Sequence, residues 1–79
     1  MQFYDALEIC GKTSGTSMQQ VSAQLGHAKV YVAGAKSRGS VPSVDNAARM
    51  LGVCGYALCA IPHSDVTESM LQITPNSKE

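Results

Sequence analysis

The chain has 79 residues, of which 44% are hydrophobic, and its six basic and six acidic side chains give a formal net charge of zero. This length fits one small domain, and the apolar content excludes a chain that is disordered over most of its length. No apolar run approaches the roughly 20 residues of a membrane span, and no secretory signal is visible, so we expect a cytoplasmic protein.

The residue types that carry chemistry are few and scattered. The three cysteines, Cys10, Cys54 and Cys59, include no Cys-x-x-Cys pair, and His27 and His63 lie far apart in the sequence. We therefore expect buried, reduced cysteines and no metal or cofactor. No paired carboxylates, Ser/His/Asp spacing or phosphate-binding glycine loop occurs, so we do not expect an enzyme.

Two helices are predicted in the first third of the chain. The first covers residues 2–12, with an apolar face of Phe3, Ala6, Leu7 and Cys10, and residues 13–15 interrupt it. Ser17 and Gln20 form a capping box that predicts the start of the second helix. Its inner face comprises Met18, Val21, Ser22 and Leu25. Gly26 is predicted to end the helix at a positive φ, which glycine tolerates.

The next predicted helix covers residues 28–37, with Val32 and Ala35 facing inward. Its outward positions are expected to be Ala28, Lys29, Tyr31, Ala33 and Lys36. Residues 38–42 read as a loop, since Pro42 favours an extended predecessor.

A fourth helix is predicted over residues 44–51, with Ser43 as its N-cap. Its inward residues would be Val44, Ala47, Ala48 and Leu51, and Gly52 and Gly55 would mark its end. The apolar run at residues 56–61 is compatible with a strand covered on both faces or with a piece of helix. Residues 63–79 could hold a short helix capped at Ser64 or Asp65, or form a loose arm that frays from Pro75.

Charge is distributed unevenly along the chain. No acidic residue occurs from Ile9 to Val44, whereas Lys12, Lys29, Lys36 and Arg38 all lie in that segment. A neutral protein with such a segment can still present a positive face to nucleic acid.

The order of motifs from Ser17 to Pro62 carries a family resemblance. The string SMQQVSAQLG is followed by a helix with Val32 in an apolar position, by Pro42-Ser43, and by VDNAARMLG. This region resembles the lambda-repressor-like (Cro/Xre-type) helix-turn-helix family. The closing CGYALCAIP resembles a subset of that family in which a G-Y-x-L strand follows the fourth helix.

The resemblance implies an all-α bundle of four to five helices over residues 1–62, with a short C-terminal β-strand. It also implies a small DNA-binding transcriptional regulator, similar to repressors of phages and mobile elements, with helix 28–37 in the major groove. Residues 56–61 would pair with their twins in a homodimer, through Tyr56, Leu58 and Ile61. The sequence departs from the family at Ser22, His27 and Gly34.

The predicted contacts to double-stranded DNA combine base-facing and phosphate-facing positions. They are Ser17, Gln19, Ala28, Lys29, Tyr31, Ala33, Lys36, Arg38 and Ser40. The predicted helix 28–37 lacks the Gln, Asn and Arg side chains that supply most bidentate base contacts. With zero net charge, this leaves an alternative open: a protein-interaction module on the same scaffold, such as an antitoxin or a small phage inhibitor.

Overall fold

The computed structural model describes residues 1–74, and all the regular secondary structure in that range is helical. Four α-helices follow one another along the chain: α1 (Phe3–Ser14), α2 (Met18–Gln24), α3 (Tyr31–Ser37) and α4 (Val44–Val53). A single 3-10 turn, His63–Asp65, lies in the segment after α4. The predicted all-α class is therefore confirmed for the described residues.

Helix α1 buries the predicted face, Phe3, Ala6, Leu7 and Cys10. It extends two residues further than predicted, because the polar residues at its end bond back to the helix. Thr13 Oγ1 donates to the Ile9 carbonyl at 3.0 Å and Ser14 Oγ to the Gly11 carbonyl at 3.3 Å. Gly15, at φ 75°, then ends the helix.

Helix α2 begins at the predicted capping box. The Gln20 N–H donates to Ser17 Oγ at 3.1 Å, and the Ser17 N–H donates to Gln20 Oε1 at 2.8 Å. Two backbone donors at the helix start are thereby satisfied. Val21 and Ser22 are fully buried, and Met18 and Leu25 pack partly buried against the core.

Helix α3 begins at Tyr31, so the predicted start at Ala28 is wrong. The Tyr31 N–H donates to the Ala28 carbonyl at 3.0 Å in a turn, and the first helical bond runs from Gly34 N–H to the Val30 carbonyl at 2.8 Å. Ala28 and Lys29 are good helix formers, but the chain needs these residues to change direction between α2 and α3, and tertiary geometry overrides propensity.

The predicted inner face of α4 is half right. Ala47 and Leu51 are buried, but Val44 is 76% exposed and Ala48 is also exposed. Met50 and Cys54 are buried in their place. The buried face therefore keeps the helical spacing but is rotated about the helix axis and lies nearer the C-terminal end of α4. The Ser43 N-cap is confirmed, since Ser43 Oγ accepts the Asn46 N–H at 3.2 Å.

The core is assembled from all four helices. Its buried apolar members are Phe3, Tyr4, Leu7, Cys10, Val21, Val32, Ala35, Ala47, Met50, Leu51 and Cys54. Helix α2 packs on α3, and both α1 and α2 pack on α4. None of the helices in residues 1–74 has the length and apolar character needed to cross a membrane.

The remaining segment, residues 56–74, is called the arm below. Neither the possible strand nor a piece of helix is present over residues 56–61. These residues are exposed and have no regular secondary structure, and the described chain offers no neighbouring strand to pair with them. The short turn begins at His63 rather than at a cap on Ser64 or Asp65.

The arm ends beside the first residue of the chain. The Met1 ammonium donates to the Gln72 carbonyl at 3.1 Å, and the Thr74 N–H donates to the Met1 carbonyl at 2.9 Å. The predicted fraying from Pro75 concerns residues outside the described range.

Candidate nucleic-acid interface

The α2–turn–α3 unit, residues 18–37, changes direction at Gly26. The Gly26 N–H donates to the Ala23 carbonyl and the His27 N–H to the Ser22 carbonyl, both at 3.0 Å. This pair of bonds is the Schellman ending of a helix, and it needs a residue at positive φ, here Gly26 at 81°. The positive φ predicted from the sequence is therefore confirmed.

Ser22 joins the two helices of the unit. Its Oγ donates to the Met18 carbonyl at 2.9 Å and accepts the Val32 N–H at 3.1 Å, and the residue is fully buried. One small side chain thus satisfies a backbone donor in the first turn of α3 while allowing close packing. Sequence reasoning placed Ser22 on the inner face of the second helix and missed this bond.

His27 and Tyr31 stack across the turn. Their ring centroids lie 3.8 Å apart with an interplanar angle of 7°. Tyr31 is only partly exposed, and it also lies near Tyr4 of α1. Burial raises the pKa of Tyr4, and the proximity of Tyr31 raises it further. One face of the Tyr31 ring is therefore covered by His27.

The outward face of α3 is small and apolar. Counting in helical spacing from the buried Val32 and Ala35, the opposite side of the helix carries Val30, Ala33 and Ser37. All three are exposed, and the Val30 side chain is 69% exposed. Val30 and Ser37 were missed by sequence reasoning, although the three- and four-residue spacing from Ala33 would have found both.

Lys36 lies against α1. Its Nζ is 2.7 Å from Glu8 Oε1 and 3.4 Å from Asp5 Oδ1. The hydrogen bond that Lys36 Nζ donates to Glu8 raises the pKa of Lys36. Two carboxylates from outside the acid-free segment are thus placed beside α3, and a phosphate would have to compete with them for this amino group.

Arg38 lies along α3. Its Nη1 is 3.1 Å from the position that a Cβ on Gly34 would occupy, so the missing side chain at Gly34 gives the guanidinium room. Arg38 also lies near Tyr4 and lowers its pKa, against the larger effect of burial. The Ser40 N–H donates to the Ala35 carbonyl at 3.0 Å, which fixes the loop after α3 to the helix end.

The nine predicted DNA contacts fall on or next to one structural unit. Eight are exposed, and the ninth, Tyr31, is partly exposed. Ser17 is engaged in its cap, whereas Gln19, Ala28 and Lys29 lie exposed on α2 or in the turn. The structure thus leaves most of these positions accessible, with Lys36 held by an ion pair.

The predicted dimer residues border a cleft between the arm and the helices. Tyr56, Leu58 and Ile61 are each about two-fifths exposed and line a cavity of about 680 Å³ whose walls include Cys10 and Leu51. From Met1 to Thr74, no cluster of three or more His, Cys, Asp or Glu side chains could hold a metal ion.

Comparison of the chain with protein-family models, with curated proteins and with solved structures finds no match.

Proposed function

We propose that this protein binds double-stranded DNA through the α2–turn–α3 unit and acts as a small transcriptional regulator. The observation that carries the proposal is the geometry of this unit. Ser22 and the Gly26 turn hold α3 rigidly against α2, and the outer face of α3 is free of carboxylates and projects away from the core. A helix presented in this way can enter the major groove.

Phosphate contacts would flank α3. Lys29 precedes the helix, and Arg38 and Ser40 follow it, so both ends can approach the DNA backbone. On α2, Gln19 is exposed, and the Ser17 hydroxyl accepts within its cap and retains a proton to donate. Lys36 contributes less to this proposal because Glu8 and Asp5 already bind its amino group.

Two copies of the chain would give tight binding. One module of this size buries only about 600–1,000 Å² on DNA, and two recognition helices about 34 Å apart would reach successive turns. The arm supplies the proposed contact: residues 57–61 make no backbone hydrogen bond to the rest of residues 1–74, and Leu58 and Ile61 are exposed. Sedimentation should give the dimer mass for the wild type and the monomer mass for Leu58→Asp.

The salt dependence of duplex binding tests the DNA proposal. Fluorescence anisotropy on random-sequence duplexes should show steeply falling affinity as salt rises, because binding releases counterions. The double variant Lys29→Ala and Arg38→Ala should bind more weakly and lower the slope of log affinity against log salt by about two.

The matched control is Lys12→Ala with Arg49→Ala, which removes the same charges from α1 and α4. Its salt slope should stay near that of the wild type. An equal loss in both double variants would mean that net charge, rather than the α2–turn–α3 unit, governs binding. Absence of duplex binding at about 50 mM salt would reject DNA as the partner.

One observation favours a second function, a protein-interaction module on the same scaffold. The outward face of α3 begins with the exposed Val30, and the charge of Lys36 is balanced by carboxylates of α1. Such a face suits an apolar protein surface, as in an antitoxin or small inhibitor. Failure of duplex binding in a folded protein would favour this second function.

A further inference from the structure

The residues on the outer face of α3 limit what it can recognise in DNA. Val30, Ala33 and Ser37 carry no amide, guanidinium or carboxylate, so bidentate hydrogen bonds to base edges are not available to them. Their small size would let the helix backbone approach the groove floor closely. This face of α3 can therefore recognise only an apolar group on the DNA bases.

Only one apolar group projects from the standard base pairs into the major groove, the 5-methyl group of thymine. Val30 is the exposed apolar side chain that can meet it, one residue before α3 and on the same side as Ala33. We propose that Val30 and Ala33 select thymine by contact with its 5-methyl group. This inference rests on the proposed DNA binding and names the sequence class that the site prefers.

The surrounding charges favour a duplex over an apolar protein as the occupant of this face. Lys29 is the residue before Val30, and Arg38 is the residue after Ser37, so cations border the apolar face at both ends. The two carboxylates that lie near α3, those of Asp5 and Glu8, bind Lys36 on the side that faces α1 and not on the outer face. In a complex with DNA, the cations would lie near backbone phosphates while the apolar residues contact thymine methyl groups in the major groove.

Replacing thymine with uracil in the DNA tests the inference, because deoxyuridine keeps every hydrogen-bonding edge and lacks the methyl group. Wild-type protein should bind an alternating dA–dT duplex more tightly than the dA–dU duplex of equal length, by about fourfold for each methyl contacted. Replacing cytosine with 5-methylcytosine in a dG–dC duplex should raise affinity, since that base presents the same methyl group.

Val30→Thr keeps the side-chain volume and replaces one methyl with a hydroxyl. We expect it to reduce the preference for thymine over deoxyuridine, because one methyl group at position 30 is lost while Ala33 stays. The thermal midpoint should stay unchanged, because Val30 is exposed. Val44→Thr is the matched control, since Val44 is equally exposed but lies on α4. It should retain the full preference.

The outcomes separate the two proposals. Equal binding of dA–dT and dA–dU duplexes by the wild type overturns the methyl contact and leaves DNA binding intact. A preference that is undiminished in Val30→Thr, or that falls equally in Val44→Thr, overturns the assignment to α3. Binding to neither duplex rejects the DNA proposal and this inference with it.

Discussion

The helical body, residues 3–54, and the arm, residues 56–74, are both rich in apolar residues but use them differently. The core side chains of the body are at most 8% exposed, whereas the large apolar side chains Tyr56, Leu58, Ile61, Met70, Leu71 and Ile73 of the arm are each at least 37% exposed. A helix satisfies its own backbone and can bury one face. An extended segment without a partner strand cannot bury its unpaired N–H and carbonyl groups without cost. Apolar content alone therefore does not predict burial.

The largest expected effect comes from truncating a leucine in each region. Leu7 in α1 is fully buried and Leu71 in the arm is 37% exposed. Leu7→Ala should lower the free energy of unfolding by about 2–5 kcal/mol, through lost apolar burial and the cavity left behind. Leu71→Ala should lower it by about 1 kcal/mol or less, because part of the side chain already lies in water. Urea denaturation measures both, and similar losses would mean that the arm belongs to the cooperative core.

A serine pair probes hydrogen bonding in the two regions. Ser22→Ala leaves the buried Val32 N–H without its acceptor, at an expected cost of about 1–3 kcal/mol. Ser69→Ala removes an exposed bond, 2.9 Å to Thr67 Oγ1, and should cost about 0.5 kcal/mol or less. Thermal or urea unfolding distinguishes them. A near-neutral Ser22→Ala would show that the bond to α3 does not stabilise the unit.

Alkylation of the cysteines measures how accessible the body and the arm are to solvent. Cys10 and Cys54 are buried in the body and Cys59 is exposed in the arm. Iodoacetamide should modify Cys59 in the native protein and reach the other two only on unfolding, as read by mass spectrometry. Rapid native labelling of Cys10 would indicate that the cleft beside the arm opens.

The same buried thiols predict a pH effect. Burial raises the pKa of Cys10 and Cys54 above the ordinary 9.0. Between the unfolded and the folded pKa the unfolded state binds fewer protons, so these thiols contribute stability that is complete below about pH 9 and is lost as the pH rises further. In a Cys10→Ala, Cys54→Ala variant this alkaline loss should shrink.

The smallest effect concerns charge. Glu8→Gln should weaken the ion pair with Lys36 and so free its amino group for a phosphate. DNA affinity should rise by at most about fivefold, because the ion pair is exposed. Glu68→Gln on the arm removes the same charge away from α3. Anisotropy titrations of the two variants should differ, and an equal gain would attribute the effect to net charge alone.

Much of the helical body was predictable from local pattern. The capping box at Ser17, the N-cap at Ser43 and the positive φ of Gly26 depend on neighbouring residues, and all three are confirmed. The inner faces of α1 and α2 were predictable as well, because an amphipathic stripe is read directly from spacing. The possible strand over residues 56–61 does not form within the described chain, because a strand needs a partner that a sequence pattern does not supply.

The sequence by itself determined where the helices start and stop to within a few residues, because caps and glycines act over one turn of chain. Only the tertiary structure decided the rotation of α4, the late start of α3 at Tyr31 and the exposure of Val30. It also brought Asp5 and Glu8 to Lys36, about 30 residues away in the chain. These features depend on how helices pack against one another, and packing is set by contacts between residues that are distant in sequence.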